Sequence, residues 1–151
     1  MALRPDRDEH LTDLSFFMNE TAERGVIVVA STQGSGAAMD DSSAAVKLGA
    51  QLGLPTDAPV GLLLNDVVNL DLTRQHINYA KDEVQKGSKV LLLRVGTVTT
   101  DQISGSITMG AAAHFMSDGT LATGSTASIQ VGRFLSKKDA DGFAKVAINI
   151  Q

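Results

Sequence analysis

The 151-residue sequence contains no cysteine and no tryptophan, and aromatic residues make up only 4% of it. The absence of cysteine excludes disulfides as a source of stability, and it also excludes thiolate metal sites and thiol catalysis. The scarcity of aromatic rings leaves few platforms on which a sugar or a base could stack. The composition therefore speaks against a glycan-binding surface.

Long apolar runs are also missing. The longest is Val60-Gly-Leu-Leu-Leu64, whereas a membrane-spanning helix needs about 20 apolar residues. The first ten residues are charged and contain no apolar segment of the kind found in a signal peptide. The net charge of −4 disfavours nucleic acid and anionic membranes as main partners. We therefore expect a protein made in the cytoplasm that has no nucleic-acid and no membrane partner.

The residues that are present suit a β protein. Hydrophobic residues make up 43% of the chain, which is enough for a core, and 14 glycines indicate frequent turns. The length fits one domain with an extended arm. The prolines and small residues around 54–59 suggest a boundary there. We predict an N-terminal arm over 1–57 and a β domain over 58–151.

The clearest local pattern is a hairpin at the C-terminal end of the sequence. Two runs rich in β-branched and aromatic residues, 127–136 and 143–150, flank a polar turn. The second run alternates, with apolar residues at 146, 148 and 150, as expected for a half-buried strand. Asp141 and Gly142 form the turn, and we expect Gly142 to adopt a positive φ.

Further strands are predicted at intervals of about ten residues. A buried strand is expected at 26–30, a longer one at 60–70, and a Val- and Leu-rich one at 89–100. Ser117-Asp118-Gly119 indicates a second hairpin. Short strands that recur in this way predict a mainly β fold, either a small barrel or a sandwich.

The N-terminal arm is expected to carry a short helix. Asp6 and Glu9 resemble a capping box, and Leu11, Leu14 and Phe17 follow at helical spacing. We predict a helix over 7–23 that ends before a glycine. A second, weaker helix pattern covers 43–51.

The sequence contains only weak matches to phosphate-binding and metal-binding motifs. Gly34-Ser35-Gly36 lacks the lysine of a phosphate-binding loop, so a plain loop is preferred. Asp139-Ala-Asp141-Gly142 resembles the start of a calcium loop, but the twelfth position is Ile150 in place of a carboxylate. The three histidines share no metal-ligand spacing. We expect no catalytic residue, no cofactor and no metal.

A cluster of apolar residues interrupts the polar arm: Leu14, Phe16, Phe17 and Met18. Two interpretations remain open. These side chains either pack into the protein's own core or bind a neighbouring subunit, because concentrated apolar residues on a polar segment often mark contacts.

Several segments together resemble the head decoration, or capsid cement, proteins of tailed bacteriophages. The resemblance rests on residues 59–76, 81–90 and 131–146, and on an N-terminal leader over 4–25. The second half is also similar in layout to the small β-tulip decoration proteins. Gly110-Ala-Ala-Ala-His-Phe115, the Asp118-Gly119 turn and Val131-Gly132 follow in that order. His114 departs from the tyrosine or valine usual at that place.

The resemblance implies a non-enzymatic structural protein that binds the outer surface of the assembled capsid and stabilises it. Its partners would be the major capsid protein and further copies of itself, with a homotrimer expected first and a dimer as the alternative. The alternatives are a receptor- or glycan-binding module displayed on the virion and a small hydrolase acting through Asp and His. Candidate contacts with the capsid or a neighbouring subunit are Arg4, Arg7, Leu14, Phe16, Phe17 and Met18.

Overall fold

A computed structural model describes residues 2–31, 45–48, 58–68, 82–123 and 129–150. Strands make up 57% of them, which confirms the prediction of a mainly β protein. The strands are β1 (Asp8–Met18), β2 (Ala22–Glu23), β3 (Ile27–Ala30), β4 (Ala45–Leu48), β5 (Pro59–Val68), β6 (Glu83–Val84), β7 (Lys89–Thr100), β8 (Ala112–Phe115), β9 (Leu121–Ala122), β10 (Gln130–Phe134) and β11 (Ala144–Asn149).

Five strands close into a small barrel, so the barrel alternative is the correct one. The order around the barrel is β1, β4, β3, β5 and β7, and β7 pairs back to β1. The β1–β4 pairing is parallel and the other four are antiparallel. Closure removes the free edges that an open sheet of this size would leave.

The hydrogen-bonded sheet continues beyond the barrel from the far half of β7, and we call this continuation the second sheet; β2 and β6 form a separate two-stranded ladder. Residues 95–100 of β7 pair with β11, and β10, β8 and β9 follow in that order. β5 pairs only with the first half of β7, from residue 89 to residue 93. One long strand thus belongs to both the barrel and the second sheet.

Two hydrophobic clusters correspond to these two parts. We call the first the barrel core; its buried members are Met18, Ala22, Val26, Val28, Val46, Leu63, Val84, Val90 and Leu92. We call the second the sheet core; its members larger than alanine are Leu3, Ile27, Val29, Leu62, Leu64, Leu93, Val98, Ile103, Ile107, Phe115, Leu121, Val131, Phe134, Val146, Ile148 and Ile150.

The uninterrupted apolar run of β3 follows from its place between the two cores. Val28 lies in the barrel core, whereas Ile27 and Val29 lie in the sheet core. All three are fully buried. Successive side chains of a strand point to opposite faces, so a strand with a core on each side must be apolar throughout.

The prediction of an N-terminal helix over 7–23 is wrong, because residues 8–18 form strand β1. β1 runs antiparallel along β7, with register shifts near Leu11 and between Asp13 and Phe16. At each irregularity, the side chains that follow change to the opposite face of the strand. The apolar residues of β1 are therefore not spaced two apart, and their spacing resembles that of a helix. The prediction of a helix over 43–51 is also wrong for its described residues, because 45–48 form β4.

Other predicted strands are confirmed. β3, β5 and β7 correspond to the three strands expected before residue 101, and residues 69–70 of the second one lie outside the described residues. β8–β9 and β10–β11 are the two expected hairpins. The arm boundary near 57 falls among residues outside those described, and it stays a prediction. Strands from both sides of that boundary pair directly, β3 with β5. The glycine-rich loop at 34–36 also lies outside the described residues.

Candidate functional site

The structure brings two separately predicted groups together, namely Arg4 and the turn of the C-terminal hairpin. Arg4 Nη2 lies 3.0 Å from Asp139 Oδ2 and 3.3 Å from Asp141 Oδ2. The guanidinium also stacks over the ring of Phe143, 4.2 Å from its centroid. One cation therefore joins the start of the chain to both acidic residues of the turn.

The turn itself has the predicted geometry. Gly142 has a φ of +86°. Asp139 Oδ1 accepts hydrogen bonds from the backbone N–H groups of Asp141, at 3.0 Å, and Phe143, at 2.9 Å. Gly142 N donates to the Asp139 carbonyl at 3.1 Å. The Asp139 carboxylate thus organises the turn, as aspartate side chains often do.

These contacts hold the Asp139 carboxyl in its ionised form. The pKa of Asp139 lies below its ordinary value, first because the Phe143 N–H donates to the carboxylate. The positive charge of Arg4 and the N–H of Asp141 act in the same direction.

The residues before Arg4 are anchored in the fold. Ala2 and Leu3 are buried, and Ala2 N donates to Asp82 Oδ2 at 2.8 Å. The Ala2 carbonyl accepts from the Thr100 hydroxyl at 3.0 Å. Arg4 N donates to the Thr99 carbonyl at 2.9 Å. The chain from residue 2 to residue 4 is therefore fixed along the end of β7.

Asp82 is the second organising carboxylate. Arg24 Nη2 lies 2.7 Å from Asp82 Oδ1, and Ala2 N donates to the other carboxylate oxygen. Burial by itself would raise the pKa of Asp82, but the hydrogen bonds from Arg24 and Ala2 outweigh it and lower the pKa below its ordinary value. Asp82 therefore joins residue 2 to the turn after β2.

Two of the candidate apolar contacts pack against the protein's own core. Met18 is 2% exposed and belongs to the barrel core, and Phe16 packs against the same cluster while remaining partly buried. Leu14 and Phe17 are half-buried. The ammonium of Lys89 lies 5.1 Å from the centre of the Phe17 ring. Met18 and Phe16 are thus core residues of this chain, whereas Leu14 and Phe17 keep part of their surface.

Arg7 immediately precedes β1, and the first residues of the strand, 8–12, are all exposed. Arg7 Nε lies 2.6 Å from Glu9 Oε1. Nearby, His10 Nε2 lies 3.3 Å from Asp8 Oδ2. Leu11 is 45% exposed within this charged segment. The segment from residue 7 to residue 11 therefore presents paired charges around one accessible apolar side chain.

A groove that the sequence did not reveal lies where the barrel meets the second sheet. It has a volume of about 330 Å³ and is bounded by β2, β6, the end of β4 and the turn between β8 and β9. Apolar residues that line it are Ala22, Val26 and Leu48. Acidic residues that line it are Glu23, Glu83 and Asp118. These residues are far apart in the sequence, so no local pattern could have indicated the groove.

Within the described parts of the chain, no group of three or more His, Asp or Glu side chains is arranged to hold a metal ion. The same parts contain no helix long and apolar enough to cross a bilayer. The predicted absence of a metal site and of a cofactor stays a prediction for the whole chain.

No protein-family model matches the chain, and no curated protein matches its sequence.

Proposed function

We propose that this chain is a capsid decoration protein of a tailed bacteriophage, which binds the outer surface of the assembled shell and stabilises it without catalysis. The observation that carries the proposal is the resemblance of residues 59–76, 81–90 and 131–146, together with the leader at 4–25. The mainly β fold supports it, because the resemblance implies a small β scaffold.

The mechanism follows from mass action. A protein that binds the assembled shell and not its free subunits lowers the free energy of the shell in proportion to the logarithm of its concentration above Kd. An oligomer that contacts several capsid subunits adds the effect of high effective concentration, so weak individual contacts produce firm attachment. The internal pressure of packaged DNA would then act on subunits that are joined from outside.

The surface features of the described residues give this mechanism candidate contacts. Arg4 is held against the terminal hairpin with its side chain 38% exposed. Phe17 and Leu14 keep partly exposed apolar surface on β1. In the proposed function these residues, with Arg7, contact the capsid or a second copy of the chain, whereas Met18 and Phe16 hold β1 in place.

Co-sedimentation with expanded capsids tests the proposal. The capsids are assembled from the major capsid protein of the same genome, and unexpanded shells and free subunits serve as controls. We expect saturable binding to expanded capsids and an upward shift of the temperature at which they release DNA or dissociate. Failure to pellet with expanded capsids at saturating concentration would contradict the proposal.

The oligomeric state is a separate expectation. Light scattering coupled to size exclusion should give the mass of a trimer, three times the 15.8 kDa of the chain. A mass of one chain at tens of micromolar would contradict the proposed trimer and leave capsid binding to be judged by sedimentation.

A further inference from the structure

One face of the second sheet points away from the sheet core. Val98, Phe134 and Val146 belong to that core, so the residues next to them along each strand point to the opposite side. Three of those residues, Arg133, Leu135 and Lys145, are exposed, so a partner can reach them. We call this side the outer face; its residues include Thr97 and Thr99 of β7, Lys145 and Ala147 of β11, Arg133 of β10, and Leu135.

The two cations of the outer face have no carboxylate partner among the described residues. Arg133 lies opposite Ala147, and Lys145 is two residues from Ala147 along β11. Diagonal neighbours of this kind are within reach of long side chains, so two positive charges lie side by side, and none of the residues that define the face is acidic. Every other described arginine forms an ion pair with an aspartate or a glutamate: Arg4, Arg7, Arg24 and Arg94.

Thr99 and Leu135 give two observations about the outer face that do not depend on charge. Thr99 lies opposite Lys145 in the ladder and is only 7% exposed, yet its hydroxyl has no hydrogen-bond partner among the described residues. Buried polar groups are nearly always hydrogen-bonded. Leu135 donates its N–H to the Lys145 carbonyl at 2.8 Å and keeps 37% of its surface exposed. The face therefore leaves a hydroxyl and an apolar side chain, as well as two cations, without a partner.

The start of β1 carries the complementary set of groups. We call residues 6–11 the acidic segment, because they hold three carboxylates, one arginine and one histidine. All of these residues are exposed, and among the described strands only β7 pairs with residues 8–12. Leu11, at the end of the segment, is 45% exposed. An accessible leucine beside carboxylates on β1 thus matches an accessible leucine beside cations on the outer face.

The two surfaces belong to one sheet, but they cannot meet within one chain. The register places Asp8 opposite Thr97, Thr97 opposite Ala147, and Ala147 opposite Arg133. Three strand spacings therefore separate Asp8 from Arg133, a distance of about 14 Å, which is longer than the two side chains can span. Opposite charges lie at the two ends of one row across the sheet, and they can pair only between two molecules.

We propose that the outer face of one copy of this chain binds the acidic segment of a second copy. Arg133 and Lys145 pair with the aspartates of that segment, and Leu135 packs against Leu11. Because the contact joins two different surfaces, it can repeat from copy to copy and close into a ring. The inference deepens the proposed function by naming a contact within the proposed trimer, and it rests on that function only for the number of copies.

Sedimentation velocity of charge-reversal variants, over a range of protein concentrations, tests the proposal. The face variant is Arg133→Glu with Lys145→Glu, the segment variant is Asp6→Lys with Asp8→Lys, and the combined variant carries all four substitutions. We expect the wild type to associate, and the face and segment variants to associate about tenfold or more weakly because like charges then meet. The combined variant should recover most of the association, because its reversed charges attract again. Added salt should weaken the association of the wild type.

The matched control is Lys47→Glu with Lys86→Glu, which changes the net charge by the same amount as the face variant. Both lysines are exposed, on β4 and in the β6–β7 turn, and they too form no ion pair with a described residue. The control should associate as the wild type does. Equal weakening in the control and the face variant would overturn the proposal. So would a wild type that stays monomeric at hundreds of micromolar, or a combined variant that is folded by circular dichroism but as dissociated as the face variant.

Carbodiimide cross-linking of the wild type provides a second readout that needs no variant. In a mixture of unlabelled and ¹⁵N-labelled protein, we expect amide links from Lys145 to Asp6, Asp8 or Glu9 that join a labelled chain to an unlabelled one. Links between chains that leave out Lys145 and the acidic segment would overturn the proposal. A dimer that responds to the variants as expected would support the contact and contradict the trimer alone. None of these measurements uses capsids, so they succeed or fail separately from capsid co-sedimentation.

Discussion

The barrel and the second sheet bury their apolar residues in different ways. β3 lies between the two cores, and three consecutive residues of it, Ile27 to Val29, are fully buried. β11 has one core only, so buried Val146 and Ile148 alternate with exposed Lys145 and Asn149. In this chain an uninterrupted apolar run marks a strand shared by two cores, whereas alternation marks a strand with one solvent face.

The largest effects are expected from two adjacent leucines of β5 that belong to different cores. Leu63 lies in the barrel core and Leu62 in the sheet core, and both are fully buried. Leu63→Ala and Leu62→Ala should each cost about 2–5 kcal/mol of unfolding free energy, the usual range for a buried leucine. Urea unfolding followed by circular dichroism measures this.

The same two variants test whether the cores form one unit. Because β3, β5 and β7 serve both cores, each variant should shift a single transition without splitting it. A biphasic curve for one variant only would break the comparison, since the barrel and the second sheet would then be separate cooperative units.

The next largest effects are expected at two glycines of the C-terminal hairpin, one in β10 and one in the turn that follows it. A Cβ at Gly132 would overlap the carbonyl oxygen of Ala147 on the neighbouring strand. At Gly142 nothing lies within 4 Å of a Cβ, but the φ of +86° is unfavourable for other residues. Gly132→Ala should cost about 1–3 kcal/mol through overpacking. Gly142→Val should cost about 1–3 kcal/mol through backbone strain.

The size of the side chain distinguishes these two causes by thermal melting. Going from alanine to valine should add a large penalty at Gly132, where space is the limit, and a small one at Gly142, where the backbone is the limit. Equal alanine and valine penalties at Gly132 would contradict the close strand approach there.

Asp82, which immediately precedes β6, is expected to have a smaller and pH-dependent effect. Its pKa is lowered in the folded state, so its stabilising contribution is complete above the unfolded pKa and is lost as the pH falls through the folded value. The loss should therefore occur below about pH 4. Asp82→Asn should cost about 1–2 kcal/mol at pH 7 and flatten the decline of stability in acid.

Glu83→Gln is the matched control for Asp82, because it removes a neighbouring charge that has no described basic partner. Melting temperatures of both variants are compared between pH 7 and pH 3. If Glu83→Gln lost as much stability at pH 7 as Asp82→Asn, the role assigned to the Arg24–Asp82–Ala2 contacts would be wrong.

The smallest effect is expected from Arg4, on the second sheet. Its ion pairs are exposed, and such pairs contribute about 0–1 kcal/mol, to which stacking on Phe143 adds about 0.5–1 kcal/mol. Arg4→Gln should therefore lower the melting temperature slightly, and Arg4→Lys should lose less because the charge remains. If Arg4→Gln lowered the melting temperature by the same amount at low and at high salt, packing on Phe143 would contribute more to stability than the ion pairs do.

Sequence patterns predicted the parts of the fold that depend on near neighbours. The alternation of β11, the apolar run of β3 and the turn at Gly142 each reflect a few adjacent residues, and each is present. β1 was mistaken for a helix because the register shifts against β7 are set by a strand far along the chain. Tertiary pairing decided the structure of that segment against its local spacing.

The sequence indicated individual residues of the candidate site, but it did not indicate the contacts between them. Arg4 and Asp141 were both singled out, but their contact joins residues 137 positions apart. The groove depends on β2 meeting β6, so the sequence gives no sign that Glu23 and Glu83 face each other. Long-range contacts of this kind leave no periodicity in the chain.

Electron cryomicroscopy of expanded capsids with and without the purified protein tests the central claim most directly. The account predicts added density on the outer surface, at symmetry-related positions that bridge neighbouring capsid subunits, into which the barrel and the second sheet fit as one body. Capsids that remain bare after incubation with saturating protein, or density confined to the inside of the shell, would contradict it.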